Sequence, residues 1–312
     1  METNPLTLSS VATLVVEGAW VDLKTVLDAL LLPSLRSLAV TGWYRGDPAA
    51  ELAKGATECF RAISRHTSLT SLFMSTAYVR LPLTSAHIPG MSPGPEVQDF
   101  FEAPLLDIMG PLLSLSALRS ISLDFPEHFV FACTSADLRA ISESWPMLEA
   151  LHLLVSRYHG DASDFMLRFH PAPGTRTIDP TRLPEEHPHG GPLEAIAHFA
   201  RNCPRLRLLH LSAMELGEGS LAAVEELLGP SPRDPHGLRT LVVPQVRLPP
   251  RRIDLFAKIP ELVGAVFPHA KCTFVPPRRV GTGYDRWVYD TRGCPVCEKD
   301  PKLPFQWTWR IS

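Results

Sequence analysis

The stretch "NCPRLRLLHLSAM", residues 202–214, places leucines at positions 206, 209 and 211 in an L-x-x-L-x-L pattern. The last two leucines are two residues apart, which is the spacing that puts both side chains on one face of a β-strand. Leu206 lies three residues earlier, in the turn that leads into the strand. The stretch therefore predicts a short strand with one buried leucine face.

The same pattern recurs along the chain. Stacked copies can bury a common apolar face that a single copy cannot bury alone, so the recurrence predicts copies lying side by side. The further copies are "VATLVV" from Val11, "PSLRSLAV" around Leu35, "TSLTSLFM" around Leu69, "SALRSISL" around Leu118, "PMLEALHL" around Leu148, "HGLRTLVV" around Leu238 and a degenerate "HAKCTFV" near residue 270.

Helical periodicity separates the copies. Alternating helices and strands are also typical of an ordinary doubly wound α/β domain, which stays open as an alternative. Two features favour a repeat array: the strands share one motif, and no glycine-rich phosphate loop follows any of them. Prolines end several of the helices just before their strands. The predicted helices span residues 22–32, 49–66, 95–115, 134–145, 192–203 and 219–229.

The motifs "PSLRSLAV", "PMLEALHL" and "PRLRLLHL" resemble leucine-rich repeats of the helix-containing, ribonuclease-inhibitor-like type. Their irregular lengths and proline-rich insertions are similar to the C-terminal repeat region of fungal F-box proteins, over residues 8–276. The resemblance implies an α/β fold, an irregular leucine-rich-repeat solenoid with parallel strands on its concave face and helices on its convex face. It implies a non-enzymatic protein-binding scaffold, like the substrate-recognition region of an F-box ubiquitin-ligase adaptor.

Two departures from that family pattern change the expectations. The repeat pattern begins by residue 11, so contact with a ubiquitin-ligase adaptor is expected only if an F-box lies upstream. The asparagine or cysteine that normally follows each repeat strand is missing, so other groups must satisfy the turn backbone and we expect an irregular arc. Those positions hold Ala19, Trp43, Ala77, Pro126, Ser156, Met214 and Val246.

The residues between the buried leucines are predicted to form the partner-binding concave face. This face is mostly neutral, and its larger side chains are Phe73, His152 and His210. Extended concave faces suit protein partners, although for any single residue a merely solvated sheet surface is the alternative. The predicted contact residues are Ser37, Thr41, Phe73, Ser75, Ser122, Asp124, His152, His210, Ser212 and Thr240.

The repeat array is predicted to span residues 1–278, with insertions at 76–94 and 155–191 that are too long for structural turns. Residues 279–312 depart from the repeats and concentrate tryptophan, tyrosine and phenylalanine. An array exposes an apolar end that needs a cap. We therefore expect this tail to cover the last repeat.

The alternative function is that of an uncharacterised enzyme or a zinc-binding protein that uses the 155–191 insertion or the C-terminal tail. Cys294 and Cys297 form a C-x-x-C motif, but a closed zinc site needs four ligands. His269 and Cys272 could supply the other two. On balance we expect no catalytic residue, no cofactor and no bound metal.

Bulk composition excludes several classes of partner. The 312 residues carry a net charge of −3, which gives no electrostatic footprint for nucleic acid. No uncharged apolar run approaches the roughly 20 residues of a membrane helix, and the N-terminus lacks the basic region of a signal peptide. Six scattered cysteines do not form a disulfide scaffold. We expect an intracellular protein, cytoplasmic or nuclear.

Overall fold

The structure is a computed structural model of the chain, in which contacts define two compact units. The first unit comprises residues 1–115, 123–133 and 154–189, and the second comprises 116–122, 134–153 and 190–312. The structure describes residues 6–44, 49–78, 101–125, 129–155, 191–211, 213–217, 219–228, 236–243, 245–247, 255, 258–274, 277–279 and 287–289.

The first unit combines parallel strands with helices. The strand β7 lies at the division, with its first three residues in the second unit. The strands are β1 (Leu6–Thr7), β2 (Thr13–Ala19), β3 (Leu30–Leu31), β4 (Ser37–Tyr44), β5 (Ser71–Tyr78), β6 (Phe101–Pro104), β7 (Ser120–Phe125) and β8 (Phe129–Ala132). The helices are α1 (Trp20–Ala29), α2 (Ala49–Ile63) and α3 (Leu105–Met109), and a 3-10 turn follows at Gly110–Ser114.

The repeat strands of the first unit pair in register. β2, β4 and β5 run parallel in that order, with Leu14 opposite Leu38 and Leu38 opposite Leu72. Leu38 and Leu72 are each 1% exposed and belong to the core, whereas Leu14 is half-buried. β1 pairs with β3 and β6 pairs with β8, both parallel.

The second unit repeats the same construction. Leu151, Leu209 and Leu241 lie opposite one another on consecutive parallel strands and are fully buried. The strands are β9 (Ala150–Val155), β10 (Gly191–Pro192), β11 (Leu208–Leu211), β12 (Ala213–Glu215), β13 (Thr240–Val243), β14 (Gln245–Arg247), β15 (Lys271–Phe274), β16 (Pro277–Arg279) and β17 (Trp287–Tyr289). The helices are α4 (Ser135–Ser144), α5 (Ile196–Asn202), α6 (Ser220–Leu228) and α7 (Ile259–Val266), with a 3-10 turn at Leu193–Ala195.

The repeat strands of the second unit run in the order β15-β13-β11-β9, and every one of these pairs is parallel. Three short strands, β10, β12 and β14, form a second parallel sheet. β16 and β17 pair antiparallel. Together with the first unit, these pairings make the chain an α/β protein built on parallel strands.

One backbone hydrogen-bond pattern recurs at the start of the repeat strands. The carbonyl of Arg207 accepts from the N–H groups of Arg239 and Thr240, at N–O distances of 2.9 and 3.0 Å. These bonds satisfy backbone groups where the strands begin, whereas the positions of the missing asparagine or cysteine lie after the strands. The carbonyls that accept in the same way are those of Ala12, Arg36, Arg119 and Glu149.

A second recurring bond closes the turn before four of the repeat strands. The N–H of Leu206 donates to the carbonyl of Cys203 over 3.0 Å, and the N–H of Leu148 donates to that of Trp145 over 3.1 Å. Leu35 with Leu32 and Leu69 with His66 repeat this contact. Each accepting residue is at most 5% exposed. The repeat thus has a further buried position, three residues before its first leucine, which the sequence reading did not assign.

The predicted helix over 95–115 is wrong in part. Phe101–Pro104 forms a strand, and α3 covers only Leu105–Met109 before the 3-10 turn begins. Pro104 adopts an extended backbone (φ −55°, ψ 138°) and ends the strand, and Pro111 stands at the start of the 3-10 turn. Two prolines thus divide a segment whose apolar spacing indicated one helix.

The sequence reading missed α7. Its buried residues Ile259, Leu262, Val263 and Val266 have helical spacing, and a proline stands in its first turn, where proline is tolerated. The degenerate copy near residue 270, by contrast, forms β15, which pairs in parallel with β13.

The described helices are short. α2, with 15 residues, is the longest of them, whereas a bilayer crossing needs about 20. Within the described part of the chain, no helix combines the length and the apolar character of a membrane span.

Candidate functional site

The first unit carries a polar strand surface, here called the polar face, made of Ser37, Thr41, Phe73 and Ser75. These residues alternate with the buried motif positions, so their side chains leave the sheet on the opposite side from the leucine core. All four are half-buried. The Thr41 and Ser75 hydroxyl oxygens, opposite each other on β4 and β5, lie 3.2 Å apart within hydrogen-bond distance.

The polar face suits contact with a neutral partner surface. Phe73 stands opposite Ala39, a small residue. Phe73 supplies aromatic area, the residue type that is enriched at protein interfaces, and the three hydroxyls can both donate and accept. Asp124 on β7 is also half-buried and is the one carboxylate among the predicted contact residues.

In the second unit, the predicted contact residues centre on two histidines. His152 on β9 lies opposite His210 on β11, and their ring centroids are 5.6 Å apart with planes at 63°. Burial lowers the pKa of His152 to about 4. Burial, together with the neighbouring His152, lowers the pKa of His210 to about 3. Both rings are therefore neutral at pH 7.

The exposure of these predicted residues is uneven. Ser122 and His152 are each 7% exposed, whereas His210 and Thr240 are half-buried. Ser122 Oγ and His210 Nε2 have no hydrogen-bond partner among the described residues. Each of these two atoms can therefore form a further hydrogen bond. Leaving such a buried polar atom unpaired costs about 1–3 kcal/mol. Ser212 lies outside the described residues.

The residues behind the zinc and enzyme alternative are described only in part. Cys294, Cys297 and residues 156–190 lie outside the described part of the chain, whereas His269 is described and exposed. Among the described residues, no group of three or more His, Cys, Asp or Glu side chains could hold a metal ion. Burial raises the pKa of the Cys59 and Cys203 thiols to about 12, which keeps them protonated and unsuited to act as thiolate nucleophiles.

The sequence reading missed a row of charged residues. Arg119, Glu149, Arg207 and Arg239 each occupy the position just before a repeat strand. Since their backbones are hydrogen-bonded in succession, they lie beside one another along the edge of the sheet. The motif did contain a signal for this row, because each of these charged residues directly follows the first leucine of its copy.

The fold and the polar face define an α/β protein in which repeated parallel strands align their polar positions. No protein-family model matches the chain, and a comparison with curated proteins finds no match. Its resemblance to leucine-rich-repeat and F-box proteins stays a prediction.

Proposed function

We propose that this protein is a non-enzymatic protein-binding scaffold, built as an irregular leucine-rich-repeat solenoid, whose polar strand surface contacts a protein partner. The observation that carries the proposal is the in-register stacking of the motif strands, which aligns polar positions such as Thr41 and Ser75. The hydrogen bonds that recur before several of the repeat strands support it, because they give those copies the same local geometry.

The chemistry of the polar face narrows the partner to a protein surface rather than a charged polymer. Hydroxyls surround one half-buried phenyl ring, and interfaces are enriched in aromatic residues and depleted of charged residues at their centre. By its resemblance, the chain would select substrates for a ubiquitin ligase. Recruitment of the ligase adaptor itself depends on an F-box upstream of residue 11.

Proximity labelling in cells with wild-type, Phe73→Asp and Val21→Asp baits tests this proposal. Phe73→Asp places a charge on the polar face and should reduce the enrichment of the partner at least about tenfold, the loss expected from removing an interface anchor. Val21 is an apolar residue on α1 and is 67% exposed, so Val21→Asp is a matched control that should leave the enrichment unchanged.

Folding is checked by comparing the thermal melts of the three purified proteins. Ser37→Lys is a second variant on the same face for the case in which Phe73→Asp lowers stability. Equal enrichment of the same proteins by wild type, Phe73→Asp and Ser37→Lys would contradict the proposal.

A further inference from the structure

A cavity of about 590 Å³ lies in the second unit, where strands β9, β11 and β13 begin. Glu149, Arg207 and Arg239, each one residue before its strand, line this cavity. The remaining lining residues include Arg205, Pro204 and the segment 236–238. None of these residues lies on the polar face.

The cavity concentrates positive charge. Arg205, Arg207 and Arg239 are exposed, and no carboxylate of the described residues forms an ion pair with any of them. Glu149, an acidic lining residue, lies 3.7 Å from the guanidinium of Arg119, measured from Oε1 to Nη1. Since the whole chain has a net charge of −3, this excess is local.

His236 shapes the cavity but adds no charge to it. Its Nδ1 accepts a hydrogen bond from the N–H of Leu238 over 3.0 Å, and its Nε2 lies 2.8 Å from the carbonyl oxygen of Cys203. A neutral ring that donates from Nε2 satisfies both contacts, and burial lowers the pKa of His236. The three arginines therefore carry the positive charge of the cavity.

We propose that this cavity binds an acidic peptide segment of a partner protein. Arg207 and Arg239 stand side by side on adjacent strands, about 4.8 Å apart at their backbones. An ionised carboxylate has about four acceptor sites and can accept from both guanidinium groups. Arg205, two residues earlier in the chain, can engage a second carboxylate.

The size and lining of the cavity favour a peptide over a single inorganic anion. A volume of about 590 Å³ lies within the range of about 300–1,000 Å³ that is typical of ligand pockets, and one small anion would leave most of it empty. Pro204 and Gly237, both exposed, supply apolar lining that suits the backbone and the methylene groups of a glutamate-rich segment.

Fluorescence anisotropy with the purified full chain tests this proposal. The probe is a fluorescein-labelled peptide of alternating glutamate and glycine, compared with the same peptide carrying glutamine in place of glutamate. We expect saturable binding of the glutamate peptide alone, weakened at least about tenfold in the double variant Arg207→Gln/Arg239→Gln, because two charge-assisted contacts are lost.

The control is a second double variant, Arg61→Gln/Arg201→Gln, which removes the same charge from exposed helix positions outside the cavity. It should bind the peptide like the wild type. Phe73→Asp should also bind normally, so a failure of the polar-face proposal and a failure of this one can be told apart. Arg205→Gln provides an independent variant if the first double variant melts early.

The inference would be overturned by any of the following: no saturable binding by the wild type, equal loss in both double variants, equal binding of the glutamine peptide, or displacement of the probe by an equal concentration of inorganic phosphate. Preference for a single-stranded oligonucleotide over the glutamate peptide would do the same, since it would assign the cavity to nucleic acid.

Discussion

Lowering the pH from 7 to 5 should reduce the free energy of unfolding by about 2 kcal/mol through His152 alone, because this ring is almost completely buried in its neutral form. Its pKa is about 4 in the folded chain, against about 6.5 in the unfolded chain. At a pH between these two pKa values, His152 binds a proton in the unfolded chain but not in the folded chain. Stability is therefore lost as the pH falls below about 6.5.

His210 adds to the same pH dependence. Its pKa of about 3 is lowered by burial and by the adjacent His152. Since His210 is only half-buried, we expect its share to be smaller than its pKa alone suggests. Burial also lowers the pKa values of His66, His198 and His236, so their contributions have the same sign.

Urea unfolding of wild type, His152→Gln and His269→Gln at pH 7 and pH 5 measures this effect. His152→Gln should reduce the stability difference between the two pH values. His269 is exposed, so His269→Gln should preserve the difference. Equal stability of the wild type at both pH values, or the same reduction in both variants, would contradict the expectation.

The second large effect is expected from Gly42→Ala in β4. A Cβ at this position would lie 2.2 Å from both Cε2 and Cζ2 of the Trp20 indole, far inside van der Waals contact. Trp20 is 6% exposed, and a Cβ at Gly55 would come within 2.7 Å of the Trp20 Cβ. Because the indole is enclosed, we expect a loss of about 1–3 kcal/mol in the free energy of unfolding.

Gly18→Ala is the matched control for that prediction. Gly18 is the residue on β2 directly opposite Gly42, but a Cβ there meets only Leu23, at 3.8 Å, which is ordinary contact. Gly18→Ala should leave stability unchanged or raise it slightly, because alanine restricts the unfolded chain more than glycine does. Denaturant midpoints that fall equally for both variants would contradict the account of Trp20.

The repeat strands could be predicted from the sequence because their signal is local. Leu206, Leu209 and Leu211 carry their spacing within six residues, and the structure buries all three. The prediction of one helix over 95–115 was wrong in part. Its apolar spacing indicated a helix, but Pro104 and Pro111 interrupt the segment. The strands of the second parallel sheet have only two or three residues, too few for a periodicity to be seen.

The candidate sites were predictable only in part, because they depend on which copies become neighbours. The alternation of apolar and polar residues along each strand identified Thr41 and Ser75 as residues of one face, and their hydroxyls do lie side by side. Alternation could not show that Ser122 and His152 are buried, because burial depends on the rest of the fold. The basic cavity was missed because Arg239 is distant in sequence from Arg205 and Arg207 and comes close to them only through strand pairing.

The central claim is that the leucine-motif strands lie parallel and in register, and a disulfide between neighbouring strands tests it most directly. In the double variant Thr41→Cys/Ser75→Cys, the two Cα atoms should be about 4.8 Å apart, within the range of about 4.4–6.8 Å that a disulfide spans. In the control, Thr41→Cys/Ser71→Cys, the second cysteine is four residues out of register, about 13 Å away.

After mild oxidation and proteolysis, mass spectrometry should find a peptide that links positions 41 and 75 in the monomer, and no link between 41 and 71 in the control. Equal linkage in both variants, or linkage in the control alone, would contradict the in-register stack.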